Sequence, residues 1–308
     1  MHAPAPLSHW GYNEGPSRAF GGLAIPLMQS NNPAGGAKLP KQIFGYEVVD
    51  RIGEGAASTI YAVTEPKTHQ LFALKHVVRK AEKDIRYVDQ VENEFNVSKL
   101  FRHPGLRRSV ELKVSRRAVF GAVTEAALVM EYVHGLPINE HRPEGVPAII
   151  DTFVQTGRAL EALHHLRLVH CDLKPNNIIR DNEGRVKVID FGQTCPFGTE
   201  KPRLQGTPDY MAPEQVKLKP VSPRTDVYNF GATMYWTLTG ERAPTLYTIP
   251  KGQKEILKEQ KFPTPVELRR DVPEEISKLV MDCLRYRPHE RPTHMEDVLR
   301  VLEGYRPG

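Results

Sequence analysis

Apolar and polar positions change rhythm twice along this chain. Before about residue 45 there is none: Gly, Pro, Asn, Ser and Ala dominate, and Gln29-Ser-Asn-Asn-Pro-Ala-Gly-Gly reads as linker. Residues 1–45 are therefore expected to form a disordered Gly/Pro-rich tail. From Tyr46, short apolar runs bounded by turn residues predict strands at Tyr46–Ile52, Thr59–Thr64 and Leu71–Val78. A helix is predicted over Asp84–Phe101, closed by His103-Pro104-Gly105, and basic, strand-like segments then continue to Leu128–Tyr132. After Pro147 the period becomes helical. Ala148–Leu166 is a long amphipathic helix, Lys187–Ile189 a short strand, and further helices are predicted at Ser222–Thr239, Pro273–Leu284 and Met295–Leu302. A strand-rich front and a helix-rich back predict an α+β fold: a domain over 46–305, its small β-rich N-lobe at 46–133 and larger helical C-lobe at 135–305, joined near Val133-His134-Gly135.

Composition narrows this only slightly. With 40% hydrophobic and 26% charged residues in 308, the chain can bury a real core. A net charge of +5 is too small and dispersed to indicate nucleic acid. Cys171, Cys195 and Cys283 are too few for a disulfide framework, so a reducing, cytoplasmic setting is the expectation. No apolar run approaches the roughly 18 residues of a membrane span, and the opening Met-His-Ala-Pro-Ala-Pro has no signal-peptide character.

Candidate chemistry appears in chain order. Gly53-Glu-Gly55-Ala-Ala-Ser58-Thr-Ile60 lies between two predicted strands, where glycines let backbone N–H groups approach phosphate oxygens. Alone it is more often an ordinary turn, and Ser58 stands where a third glycine would complete the pattern. Lys75, in Phe72-Ala73-Leu74-Lys75, needs an anion if it faces inward; at a sheet edge it would simply meet water. The helix offers Glu92 or Glu94. At about 100° per residue, Glu94 falls within the arc of Val88, Val91, Phe95 and Phe101, and Glu92 at its margin.

The most specific stretch is Val169-His170-Cys171-Asp172-Leu173-Lys174-Pro175-Asn176-Asn177, followed by Ile189-Asp190-Phe191-Gly192 and then Gly206-Thr207-Pro208-Asp-Tyr210-Met-Ala212-Pro213-Glu214. In these motifs the chain resembles the eukaryotic-like serine/threonine protein kinases, including their bacterial branch, from Tyr46 to about Leu302. The resemblance implies a two-lobed kinase fold, with Mg²⁺ (or Mn²⁺) and ATP as cofactors and proteins carrying Ser/Thr as substrates. It makes Asp172 the catalytic base and Lys174 the neutraliser of γ-phosphate charge, with Asn177 and Asp190 as metal ligands. It pairs Lys75 with Glu94 and with the α- and β-phosphates. Gly53, Gly55 and the backbone near Ser58 become the lid over the phosphates, Ile60 covers the adenine ring from above, and Ile52 joins the ATP-binding set. Ala73, Met130, Glu131, Val133 and Ile179 surround adenine, with Met130 guarding the back pocket and backbone groups of Glu131 and Val133 binding the ring. Scaffold roles follow the same likeness: Phe191 stacks on His170, Asp226 holds the catalytic-loop backbone, and Glu214 pairs with Arg291. Lys174 and Thr207 match serine/threonine rather than tyrosine kinases.

The alternative from another class is a pseudokinase-type binding or scaffold module, against which the whole catalytic set is present. Three departures bear on control. Cys171 stands where many relatives carry an arginine that meets an activation-loop phosphate; a thiol cannot, so activity is expected not to need phosphorylation between Gly192 and Gly206. Ser98 occupies an apolar position of the helix that usually links the lobes, which suggests looser coupling, a partner or homodimer contact, or a local shift of the helix. Cys195 is placed to approach Cys171, as a redox pair or merely as packing, and Cys283 reads as core. Two basic clusters, Arg79 to Arg86 and Arg102 to Arg117, read first as a solvated face and otherwise as a docking surface for an acidic protein or nucleic acid; no nucleic-acid partner is expected.

Overall fold

Lys75 sits in a central strand. In the computed structural model, which describes residues 19–20, 23–24, 39–55, 57–117 and 121–306, the chain divides into two units, Met1–Pro40 and Lys41–Gly308. In the first, β1 (Ala19–Phe20) pairs antiparallel with β2 (Leu23–Ala24), and most of the expected 1–45 tail lies outside the described residues. The second unit opens with β3 (Gln42–Ile43), four residues ahead of the expected first strand, and continues with β4 (Tyr46–Glu54), β5 (Ser58–Thr64) and β6 (Leu71–Val78). Helix α1 (Ile85–Ser98) follows, then β7 (Ser109–Arg116) and β8 (Val123–Glu131). The strands form one antiparallel sheet in the order β3-β4-β5-β6-β8-β7.

Alternation along β6 sends Phe72 and Leu74 to one face, into a cluster with Ile43, Tyr46, Ala127 and Val129. Ala73, Lys75 and Val77 point the other way, and there Ala73 and Val77 pack with Leu128, Met130 and the α1 residues Val88 and Val91. Burial of that apolar stripe is what seats α1 on the sheet. The helix ends at Ser98, earlier than the apolar spacing predicts, and Phe101 folds beneath it to 3% exposure.

The C-lobe begins after a connection that turns at Gly135. Its φ is +114°, and a Cβ there would lie 2.5 Å from the Arg180 carbonyl oxygen, so only glycine lets the two backbones pass. A small sheet joins β9 (Leu136–Pro137), β11 (Ile178–Arg180) and β12 (Val186–Val188) in the order β12-β11-β9. Between its strands in sequence come α2 (Val146–His165) and β10 (Leu168–Val169), the latter paired with β13 (Cys195–Pro196). The remaining helices are α3 (Pro213–Val216), α4 (Pro223–Thr239), α5 (Glu255–Lys258), α6 (Pro265–Leu268), α7 (Glu274–Cys283) and α8 (Met295–Gly304). Phe153 and Leu160 of α2, Phe230 and Tyr235 of α4, Val280 of α7 and Leu299 of α8 belong to one large core, and Cys283 lies in it at 1% exposure. Among the described residues no helix is long and apolar enough to cross a membrane.

Candidate active site

The seating of α1 brings Glu94, rather than Glu92, to the buried side. Lys75 Nζ lies 2.9 Å from Glu94 Oε2 and 3.0 Å from Asp190 Oδ1, so one ammonium from the N-lobe sheet joins the helix to the segment after β12. Burial alone would lower the Lys75 pKa, but Asp190 and Glu94 outweigh it and raise it, keeping the amine charged. The same contest runs the other way at Asp190. Burial pulls its carboxyl up; Lys75, then Arg107 and Lys174, hold it well below the ordinary carboxylate range. Asp190 also has φ +65°, a left-handed conformation that costs a residue other than glycine about 1–3 kcal/mol and persists only where its surroundings fix it.

The loop after β10 supplies the second group. Asp172 is held from the Gly206–Thr207 side: the Thr207 N–H donates to Asp172 Oδ1 at 3.0 Å and the Thr207 hydroxyl to the same oxygen at 3.1 Å. Lys174 Nζ donates to Thr207 Oγ1 at 2.7 Å and stands 3.4 Å from Asp172 Oδ2. Burial raises the Asp172 pKa, while Lys174, His170 and the Thr207 hydrogen bond oppose it. Asn177 Nδ2 donates to the Asp172 carbonyl at 2.8 Å, and the Ile189 N–H to the Asn177 carbonyl at 2.9 Å, so Asp172, Asn177 and the segment leading to Asp190 are laced together. Gly206 lies beside Asp172 at φ +116°, a conformation that favours glycine.

Beneath this loop lies the scaffold expected from the sequence. Asp226 accepts hydrogen bonds from the backbone N–H groups of His170 (2.8 Å) and Cys171 (2.9 Å), and a third contact comes from His164 Nε2 at 2.9 Å. Glu214 and Arg291 form a forked pair at 2.7 and 2.9 Å. The His170 and Phe191 rings meet edge to face with centroids 5.5 Å apart. The position left by Ser98 is answered by Phe101, whose ring lies 5.0 Å from Phe191. Ser98 itself turns its hydroxyl back to the Phe95 carbonyl at 2.9 Å. Aromatic contact therefore continues from loop to helix end, through His170, Phe191 and Phe101.

The nucleotide-facing candidates sit on the sheet and its hinge. The Gly55 N–H donates to the Ser58 carbonyl at 2.7 Å and closes the hairpin; Ala56 within it lies outside the described residues. Gly53 is paired with Ile60, Ile60 with Lys75, and Ala73 with Met130, which is fully buried; Ile52 packs at the rim of that cluster. Glu131 ends β8 with its side chain 2.5 Å from Lys187 Nζ, and half-buried Val133 follows it. Ile179 stands across the hinge in β11, paired with Lys187 and Pro137.

Two residues that sequence reasoning passed over complete the site. Arg107, read as part of a basic surface cluster, is only 5% exposed, and its Nη2 donates to Glu94 Oε1 at 3.0 Å. Asn93 Nδ2 faces the carbonyls of Phe191, Gly192 and Thr194 at 3.3, 3.3 and 2.9 Å. The one available signal for Arg107 was its place directly after an apolar residue that closes a Pro-Gly turn. Cys171 and Cys195 are free and buried with their sulfurs 3.7 Å apart. The Cys171 contact, reinforced by Lys201, draws the Cys195 thiol down to about 6 despite its burial, and Cys171 moves up.

Comparison with known proteins agrees with this geometry. The model of the protein kinase domain matches residues 46–301. The chain belongs to the protein kinase family. Among similar sequences, a probable serine/threonine-protein kinase of Clostridium acetobutylicum is 25% identical over 269 residues, covering 85% of this chain and 40% of the relative. Serine/threonine-protein kinase PknA of Mycobacterium tuberculosis is 29% identical over 273 residues, covering 85% and 62%. Serine/threonine-protein kinase ATG1 of Debaryomyces hansenii is 26% identical over 324 residues, covering 89% and 36%. The chain thus spans between 36% and 62% of the length of these relatives. Its N-lobe sheet and helical C-lobe are those of the two-lobed α+β kinase fold.

Proposed function

We propose that the chain transfers the γ-phosphoryl group of Mg·ATP to serine and threonine hydroxyls of protein substrates. The observation that carries this reading is the convergence of Lys75 and Glu94 from one lobe on Asp190 from the other, beside a loop holding Asp172, Lys174 and Asn177. The donor set fits the cofactor. Asp190 is kept ionised by Lys75 and remains about a third exposed, and hard oxygen donors from a carboxylate and an amide suit Mg²⁺ or Mn²⁺ carrying phosphate. Mg·ATP supplies the group transferred and divalent charge beside its oxygens. In the chain itself, Lys75 has three N–H donors, two of them on carboxylates, which leaves one for phosphate. Asp172 orients the incoming hydroxyl and takes its proton, and Lys174 offsets negative charge building on the transferred group. Apolar Ile52, Ile60, Ala73, Met130 and Ile179 enclose adenine, with Val133 and Glu131 offering backbone groups.

We further infer that this arrangement stands without a phosphate on the activation segment. Support comes from Cys171 in place of a phosphate-binding arginine, and from Thr194, which is 2% exposed and so hidden from another kinase. Three free thiols accord with work in a reducing cytoplasm. The test is incubation with labelled ATP and Mg²⁺ or Mn²⁺, using Asp190→Asn as control, followed by identification of the labelled amino acids. Label on serine or threonine that the control lacks supports the reading; label on tyrosine alone, or none with either metal, contradicts it.

A further inference from the structure

Glu94 is 1% exposed and receives a cation on each oxygen, yet the two cations come from different parts of the molecule. Lys75 belongs to β6 of the N-lobe sheet. Arg107 is tied to the C-lobe: its backbone N–H donates to the Val188 carbonyl at 3.1 Å, Leu106 bridges to Val188, and the Val188 N–H returns to the Gly105 carbonyl at 2.8 Å. Val188 ends the strand that leads directly to Asp190. A guanidinium taken this far from water needs an anion, and breaking a buried pair is costly because the remaining charge is stranded.

We propose that Arg107 is a positioning residue: it pins the Glu94 carboxylate, and with it helix α1 and Lys75, in the arrangement that receives nucleotide phosphates. This rests on the kinase reading above. The charges give the reason. Without nucleotide, Lys75 and Arg107 balance Glu94 and Asp190. When Lys75 turns a donor to phosphate and Asp190 is engaged by the divalent ion, Glu94 still keeps a full cation at 3.0 Å. It therefore has no cause to pull Lys75 away from phosphate or to swing outward with the helix. Asn93, the residue before Glu94, fastens the same helix to the carbonyls of Phe191, Gly192 and Thr194. Arg107 is thus a permanent charge on the helix, built into the strand beside Asp190. It serves where the Cys171 position provides no cation to read a phosphate.

The test is a double-mutant cycle on purified protein: wild type, Arg107→Met, Glu94→Gln and the pair, each measured for Mg·ADP affinity by calorimetry and for kcat/KM with ATP per folded molecule. Arg107→Met should lower kcat/KM by about tenfold to a hundredfold, with KM for ATP raised, as expected for loss of a charge-assisted contact. The double variant should fall no more than about threefold below Glu94→Gln, because residues acting through one another are not additive. Arg107→Lys, which keeps the charge, should lie between wild type and Arg107→Met; if Arg107→Met does not fold, the cycle is run with Lys. Losses that multiply in the double variant, or an Arg107 variant with wild-type kcat/KM, overturn the proposal while leaving the kinase reading intact. A wild-type chain that binds no Mg·ADP overturns the kinase reading first, and this one with it.

Discussion

Glu94 and Glu214 are both nearly sealed from solvent, at 1% and 7% exposure, and both meet an arginine, yet their surroundings differ in kind. Glu214 lies wholly within the C-lobe. Arg291 gives it two parallel hydrogen bonds, Thr225 adds a third at 2.9 Å, and the other guanidinium N–H groups go to the carbonyls of Arg285, Arg224 and Tyr286. All five donors of Arg291 are committed, so the pair has one arrangement. Glu94 instead stands between lobes, and its lysine is shared with Asp190 and borders the cleft. A saturated pair fixes structure; a shared one can exchange partners. That contrast separates scaffold from working parts in this kinase domain.

Substitutions on the two sides should therefore fail differently. The largest effect on transfer is expected for Asp190→Asn, which removes the carboxylate that Lys75 holds ionised. Its rate should fall about a thousandfold or more, with the thermal midpoint close to wild type. On the scaffold side Arg291→Met strands Glu214 and should cost about 3–5 kcal/mol of stability, read by denaturant unfolding. The molecules that remain folded should keep a kcat within about threefold of wild type. If Arg291→Met instead lowered kcat sharply without loss of stability, the division between the two glutamates would be wrong.

A smaller effect sharpens the working side. To act as the proposed base Asp172 must be ionised, and burial pushes its pKa above the usual aspartate value of 3.8. The acid limb of kcat/KM should accordingly lie above 3.8. The Thr207 hydrogen bond lowers that pKa, so Thr207→Ala should move the limb to higher pH, alongside any loss in rate. A limb that stays in place or moves down would remove Thr207 from the tuning of the base.

Much of this was legible in the chain. The strands at β4 to β6 and the helices α2, α4, α7 and α8 fall within a few residues of the predicted bounds; α2, α7 and α8 each bury an apolar stripe, while β6 and α4 are buried on more than one face. The apolar arc of α1 picks Glu94 over Glu92, and β6 proves central, so Lys75 faces the helix rather than water. Hidden from a linear reading were contacts between segments that carry no pattern of their own. Arg107 sits in a run of basic residues, and only the return of that backbone onto Val188 takes its side chain inward. Phe101 lies beyond the end of its helix, so helical spacing could not place it on Phe191. Short elements such as β9, β10 and β13 owe their shape to pairing across the fold, not to local sequence.

We infer that the site stands assembled by charge within the protein, with no phosphate on the segment between Gly192 and Gly206. The direct measurement is the initial rate of transfer from labelled ATP by chain stripped with a phosphatase, against chain first allowed to phosphorylate itself. Label should accumulate linearly from the first time point, at equal rates for both, and unchanged by combining Thr194→Ala with Thr199→Ala. A lag in the stripped protein, abolished by prior phosphorylation with a rate increase of about tenfold or more, would contradict it.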